Sequence, residues 1–100
     1  MNIEKKCINQ TIKALKDFLP DLQLPTKTEN EFYEIYDNDF NGSDLEITVH
    51  DFYEQIDYFM KEIYFDSDEM IDVDDEDFEK YCPQCTSDMI SFIFEHKILL

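Results

Sequence analysis

One hundred residues, 43% hydrophobic and 15% aromatic, suffice for one cored domain, and that apolar content excludes an intrinsically disordered chain. A formal charge of −17, with no arginine among the eight cations, excludes nucleic acid and anionic membrane as direct partners. It favours a cationic protein groove or a divalent metal, and the self-repulsion predicts that salt stabilises the fold.

In chain order, Ile3, Cys7, Ile8, Ile12, Leu15, Phe18 and Leu19 recur at helical spacing opposite Lys5, Lys6, Asn9, Lys13 and Lys16. This predicts an amphipathic helix ending before Pro20. Residues 20–30, with two prolines, read as a connection. EFYEIYD (31–37) and LEITV (45–49) are rich in β-formers and read as two strands, with the intervening DNDFNGSD as a turn, giving a short hairpin. Thr48 followed by Asp51 reads as a helix start. Phe52, Ile56, Phe59, Met60 and Ile63 then share one face, beside an acidic stripe of Asp51, Glu54 and Asp57.

The stretch 66–79, DSDEMIDVDDEDFE, has nine carboxylates in fourteen residues and reads as a loop, with one helical turn near Glu76–Tyr81. Pro83 stops it. Ser87 or Thr86 is expected to cap a last helix in which Met89, Ile90, Ile93, Phe94 and Lys97 line one side, before an apolar tail, Ile98–Leu100. The expected architecture is a single domain over residues 1–100, mainly helical α+β, with three to four helices and a short β-hairpin.

Charge is unevenly placed along the chain. Residues 1–27 hold five lysines against three acids, and residues 28–100 hold three lysines against twenty-two. Lysine makes poor bidentate contacts with carboxylates, so most acids after residue 28 are expected to face water or a partner. Cys7, Cys82 and Cys85 are an odd number without a disulfide framework, as suits a reducing cytosol. The charged first twenty residues do not read as a signal peptide, and no apolar run approaches the ~18 residues of a membrane span. A soluble, cytoplasmic protein is expected.

Four constellations could carry chemistry. Asp37, Asp39, Asn41 and Gly42 match positions of an EF-hand loop but meet Thr48 where a bidentate Glu is needed. Asp66, Asp68, Asp72, Asp74 and Asp77 fit a second such loop, in which Met70 and Ile71 replace an oxygen ligand and the turn glycine. Calcium binding on Asp66–Asp77 is therefore an alternative function. Cys82-Pro83-Gln84-Cys85 has too little chain after it for a thioredoxin-like fold, and a zinc site would need two ligands from Cys7, His50 or His96 at no recognised spacing. A pair of reduced, partly buried thiols is the favoured reading. His50 and His96 sit near helix ends with no nucleophile beside them, and no enzyme is expected.

The acidic surface is the fourth. It is interleaved with Tyr33, Tyr36, Tyr53, Tyr58 and Tyr64, and tyrosines among carboxylates suit a protein interface. Duplex DNA carries one charge per ~1.7 Å of axis, a field that clustered Asp and Glu on a rigid fold imitate. The expected function is an acidic inhibitor that blocks the basic nucleic-acid-binding surface of a nuclease or other nucleic-acid enzyme. A phage anti-CRISPR or anti-restriction protein, or a toxin immunity protein, has this character. The expected partner-binding residues are Glu34, Asp37, Asp39, Asp44, Glu54 and Asp57, continued by Asp66, Asp68, Glu69, Asp72, Asp74, Asp75, Glu76 and Asp77. No cofactor is expected.

The order of elements also resembles small acidic acyl-carrier-like domains, with DEDFEKY followed by MISFIF resembling their closing half over residues 48–97. The family places Asp-Ser-Leu at the start of its central helix, where this chain has Thr48-Val49-His50-Asp51-Phe52; Ser43-Asp44-Leu45 upstream has another order. The resemblance implies an all-α bundle as the alternative fold, without the pantetheine-carrying serine. An acyl-carrier-like domain is accordingly the third functional alternative.

Overall fold

The computed structural model describes residues 3–38, 42–64 and 80–97. Helix α1 spans Ile3–Phe18, α2 Glu29–Asp37, α3 Asp44–Tyr58 with a π-helical continuation at Phe59–Tyr64, and α4 Thr86–His96. The protein is all-α, and no strand occurs among the described residues. The expected α+β class is corrected accordingly: EFYEIYD lies within α2, and LEITV is the opening of α3.

Capping explains why both segments are helical. Before α2, the Thr28 hydroxyl accepts the Glu31 N–H at 3.1 Å; before α3, the Ser43 hydroxyl accepts the Glu46 N–H at 3.2 Å. Both are S/T-x-x-E sequences, the capping-box pattern. Glu46 also reaches back to accept the Gly42 N–H at 3.4 Å, which gives this buried carboxylate a partner. Glu29 and Glu31, and Asp44 and Glu46, occupy the first turns, where the helix dipole favours negative charge. Local capping thus outweighs the β-preference of Tyr, Phe, Ile and Val, which reflects packing context more than backbone preference.

Helix α3 is the spine. Val49, Phe52 and Ile56 are buried along one face, with Phe59 and Met60 continuing it. The sequence spacing places Ile63 next, yet Tyr64 is the residue fully buried and Ile63 is only half-buried. The wider π turn accounts for this: one extra residue per turn carries the inward position one step along the chain. Helix α4 packs on α3 with Met89, Ile90, Ile93 and Phe94 buried as expected, and Phe92 as well.

Helix α4 begins at Thr86, with Cys85 as N-cap and no side-chain capping bond. The Thr86 hydroxyl expected to cap it donates instead to Asp57 in α3 at 2.7 Å. Lys97 closes the helix in the left-handed region (φ 51°), where its N–H reaches the Ile93 carbonyl. Helix α2 is held by Phe32, its one fully buried residue, whose ring lies 5.5 Å from Phe52 and 5.7 Å from Phe94.

Helix α1 occupies the predicted range and ends at Phe18, beside the proline. Cys7, Thr11 and Leu15 form its buried stripe, whereas Phe18 is 48% exposed. Burial pushes the Tyr64 phenol up to about 12, with the neighbouring Thr11 hydroxyl acting in the opposite sense. The largest correction to the cysteine reading is here: Cys7 and Cys82 form a disulfide across 75 residues, their Cα atoms 5.9 Å apart, and only Cys85 is free. Closing a loop of that length removes unfolded-state entropy worth about 4 kcal/mol in the chain-entropy account. Among the described residues no helix is long and apolar enough to cross a membrane.

Candidate functional site

The capped starts of α2 and α3 set the two helices side by side, and their junction gathers the tyrosines. The Tyr36 ring stacks on Tyr53 with centroids 4.5 Å apart and planes 26° apart, and lies 4.8 Å from the His50 ring. Tyr33 meets Phe32 edge-on at 5.3 Å. These half-buried rings form a rigid ledge of large contact area and few rotatable bonds, the kind of surface that carries binding energy at interfaces.

Burial, and after it neighbouring negative charge, perturbs the ledge. Burial raises the Tyr36 pKa first, and the neighbouring Tyr53 and Asp37 add to the shift. Tyr33 is raised by burial, against the opposing influence of the nearby Ser87 hydroxyl at the start of α4, while Glu29 adds to the rise. Both phenols therefore remain protonated donors at neutral pH.

Beside the ledge runs the outward stripe of α3. Asp44, Ile47, Asp51, Glu54 and Tyr58 recur at helical spacing and all are exposed, Tyr58 to 59%. On α2, Glu34 and Asp37 are likewise exposed. Of the expected partner-binding residues, Glu34, Asp37, Asp44 and Glu54 thus sit on the solvent side of one helical pair, and none forms an ion pair with a described residue. Asp51 and Ile47 belong to the same surface and are absent from the expected set. For Ile47 the signal is the helical period of exposed positions, which a strand reading of 45–49 conceals, whereas Asp51 already stands in the acidic stripe beside Glu54.

Asp57 is different. Its carboxylate pairs with Lys61 at 2.9 Å and accepts the Thr86 hydroxyl, and these partners hold its pKa below the usual range. It ties α3 to α4 rather than standing open to a partner. Tyr64 leaves the expected tyrosine set as well, since it is wholly inside the core.

Asp39 and the run Asp66, Asp68, Glu69, Asp72, Asp74, Asp75, Glu76 and Asp77 lie outside the described residues, as do Asn41 of the first calcium-loop match and the whole of the second. Among the described residues no three His, Cys, Asp or Glu side chains gather as a metal site. His50 lies within α3 rather than near its start, and His96 ends α4 against the Phe92 ring at 4.4 Å. Ser43, from the acyl-carrier comparison, spends its hydroxyl on the α3 cap. No protein-family model, curated protein or solved structure matches this chain.

Proposed function

We propose that this protein is a stoichiometric inhibitor, a small acidic domain that covers the basic nucleic-acid-binding surface of a nuclease or other nucleic-acid enzyme. The observation that carries the reading is the α2–α3 face. There Glu34, Asp37, Asp44, Asp51 and Glu54 are exposed beside the stacked Tyr36 and Tyr53. A lysine- and arginine-lined groove built for phosphates meets carboxylates on a fixed helical lattice, while the tyrosines supply area and hydrogen bonds. The nine carboxylates of 66–79 join the proposal through their sequence alone. Association is steered by charge, fast and weakened by salt.

A phage-encoded inhibitor of a CRISPR or restriction enzyme, and a toxin-neutralising immunity protein, ask the same of such a face. Both act in the cytoplasm, and that compartment is part of the proposal. The Cys7–Cys82 bond bears on the compartment, because a reducing cytosol keeps ordinary thiols reduced: thiol trapping inside cells that recovers this bond intact argues against the cytoplasm, and alkylation of both cysteines supports it. The binding test is affinity capture on the immobilised protein from cells holding the target, with elution in salt steps and competition by DNA or RNA. One nucleic-acid-binding protein released by salt and displaced by nucleic acid is the expected result. Retention indifferent to both rejects the reading.

A further inference from the structure

The free thiol of this protein lies next to its disulfide in sequence. Cys85 is exposed at the N-cap of α4, three residues after Cys82, whose sulfur is bonded to Cys7. Within Cys82-Pro83-Gln84-Cys85 the Gln84 side chain donates to the Cys82 carbonyl at 3.1 Å, and the chain bends at Cys82 and at Cys85. Its far end is fixed to α4, where the Cys85 carbonyl accepts the Met89 N–H at 2.9 Å. A four-residue turn keeps its end Cα atoms within ~7 Å, and disulfides span Cα separations of roughly 4.4–6.8 Å. Tightening of the bent 82–85 segment into such a turn would bring Cys82 within bonding reach of two sulfurs, one across the fold and one along the chain.

We propose that Cys7, Cys82 and Cys85 form a thiol–disulfide exchange site. Cys85 loses its proton to solvent and, as thiolate, attacks the Cys82 sulfur in line with the Cys7–Cys82 bond. The Cys82–Cys85 bond forms, the Cys7–Cys82 bond breaks, and Cys7 leaves as a thiolate that takes a proton from solvent. One disulfide and one thiol stand on each side, so no oxidant or reductant is consumed.

Burial makes the internal thiol the favoured attacker. Cys7 is 0% and Cys82 5% exposed, which hinders dissolved thiols, whereas Cys85 is tethered three residues away. The product differs in what it fastens. Cys7, Cys82 and Tyr81 form a cluster separate from the main core. After exchange, α1 loses its covalent tie to residues 80–97 and stays on the core through packing contacts that include Leu15, Ile8, Ile12 and Ala14. The helix that carries Lys5, Lys6, Lys13 and Lys16 is then joined to an acidic body without a covalent tie.

The test uses the oxidised full-length protein and its Cys85→Ser variant, incubated at about pH 8.5, near the ordinary thiol pKa, without reductant. Both are trapped with N-ethylmaleimide in mild acid and mapped by proteolysis and mass spectrometry. Wild type is expected to yield alkylated Cys7 with a Cys82–Cys85-linked peptide, at about tenfold or more the Cys7 labelling of the variant. A Cys7→Ser protein in a glutathione redox buffer is expected to close the Cys82–Cys85 bond by itself. Equal Cys7 labelling in wild type and Cys85→Ser, or a Cys7→Ser protein whose two cysteines both remain alkylatable, overturns the proposal.

Discussion

Helices α1 and α2 lie against the same α3–α4 core, yet they differ in charge and in fastening. Helix α1 carries four of the eight lysines; α2 carries Glu29, Glu31, Glu34 and Asp37 and no cation. Helix α1 is long, buries Cys7, Thr11 and Leu15, and is stapled by a disulfide. Helix α2 is nine residues, short enough to be marginal alone, and is held by its cap, by the buried Phe32 and by the half-buried Tyr33, Ile35 and Tyr36 packed on the core. The basic side of the fold thus has a covalent fastening, whereas the acidic side is held by packing and capping without one. Self-repulsion among carboxylates acts on the side that lacks a covalent tie, so Phe32 and its neighbours carry a large share of the stability there.

The sharpest way to break the contrast is Phe32→Ala. Removing a fully buried ring that touches Phe52 and Phe94 is expected to cost about 3–5 kcal/mol, read as a lower midpoint in urea denaturation. A loss under about 1 kcal/mol, the scale of a surface change, denies that α2 hangs on this residue.

Alkaline pH strikes the other side. The folded pKa of Tyr64, about 12, lies above its ordinary value of 10.0, so the unfolded chain releases this proton first. Its contribution is full below pH 10 and is lost as pH rises towards 12. The fall is expected to be on the order of 2 kcal/mol and to shrink in Tyr64→Phe. Denaturation midpoints across that window check it, and a Tyr64→Phe profile identical to wild type contradicts it.

Thr28→Ala has the smallest expected effect, about 1 kcal/mol for loss of the α2 cap. Amide hydrogen exchange is expected to quicken in the first turn of α2 and not in α1. Equal acceleration in both helices would mean that the two are fastened as one unit.

These anchors also mark what the sequence made legible. The range of α1 and the buried faces of α3 and α4 follow from apolar residues at helical spacing, the strongest pattern in the chain. The strand reading of 31–37 and 45–49 failed because β-forming composition was weighed above Thr28-x-x-Glu31 and Ser43-x-x-Glu46, two capping signals present in the sequence. Tyr64 escaped because a π turn shifts the phase of burial without a sequence mark that periodicity detects. The Cys7–Cys82 bond escaped because pairing across 75 residues depends on tertiary placement, not spacing. For the candidate face, Glu34, Asp37, Asp44 and Glu54 were readable as acids. Their common placement, and the separate structural duty of Asp57, required the helical geometry.

The most direct measurement is the affinity of the captured enzyme for the Glu34→Lys/Asp37→Lys/Glu54→Lys protein, with Lys13→Glu/Lys16→Glu as the control on the basic helix. The acidic-face variant is expected to fold normally, to bind about 100-fold more weakly or worse, and to lose much of its salt sensitivity, while the control binds at least as well as wild type. A folded triple variant that binds like wild type contradicts the account and moves the contact off the α2–α3 face.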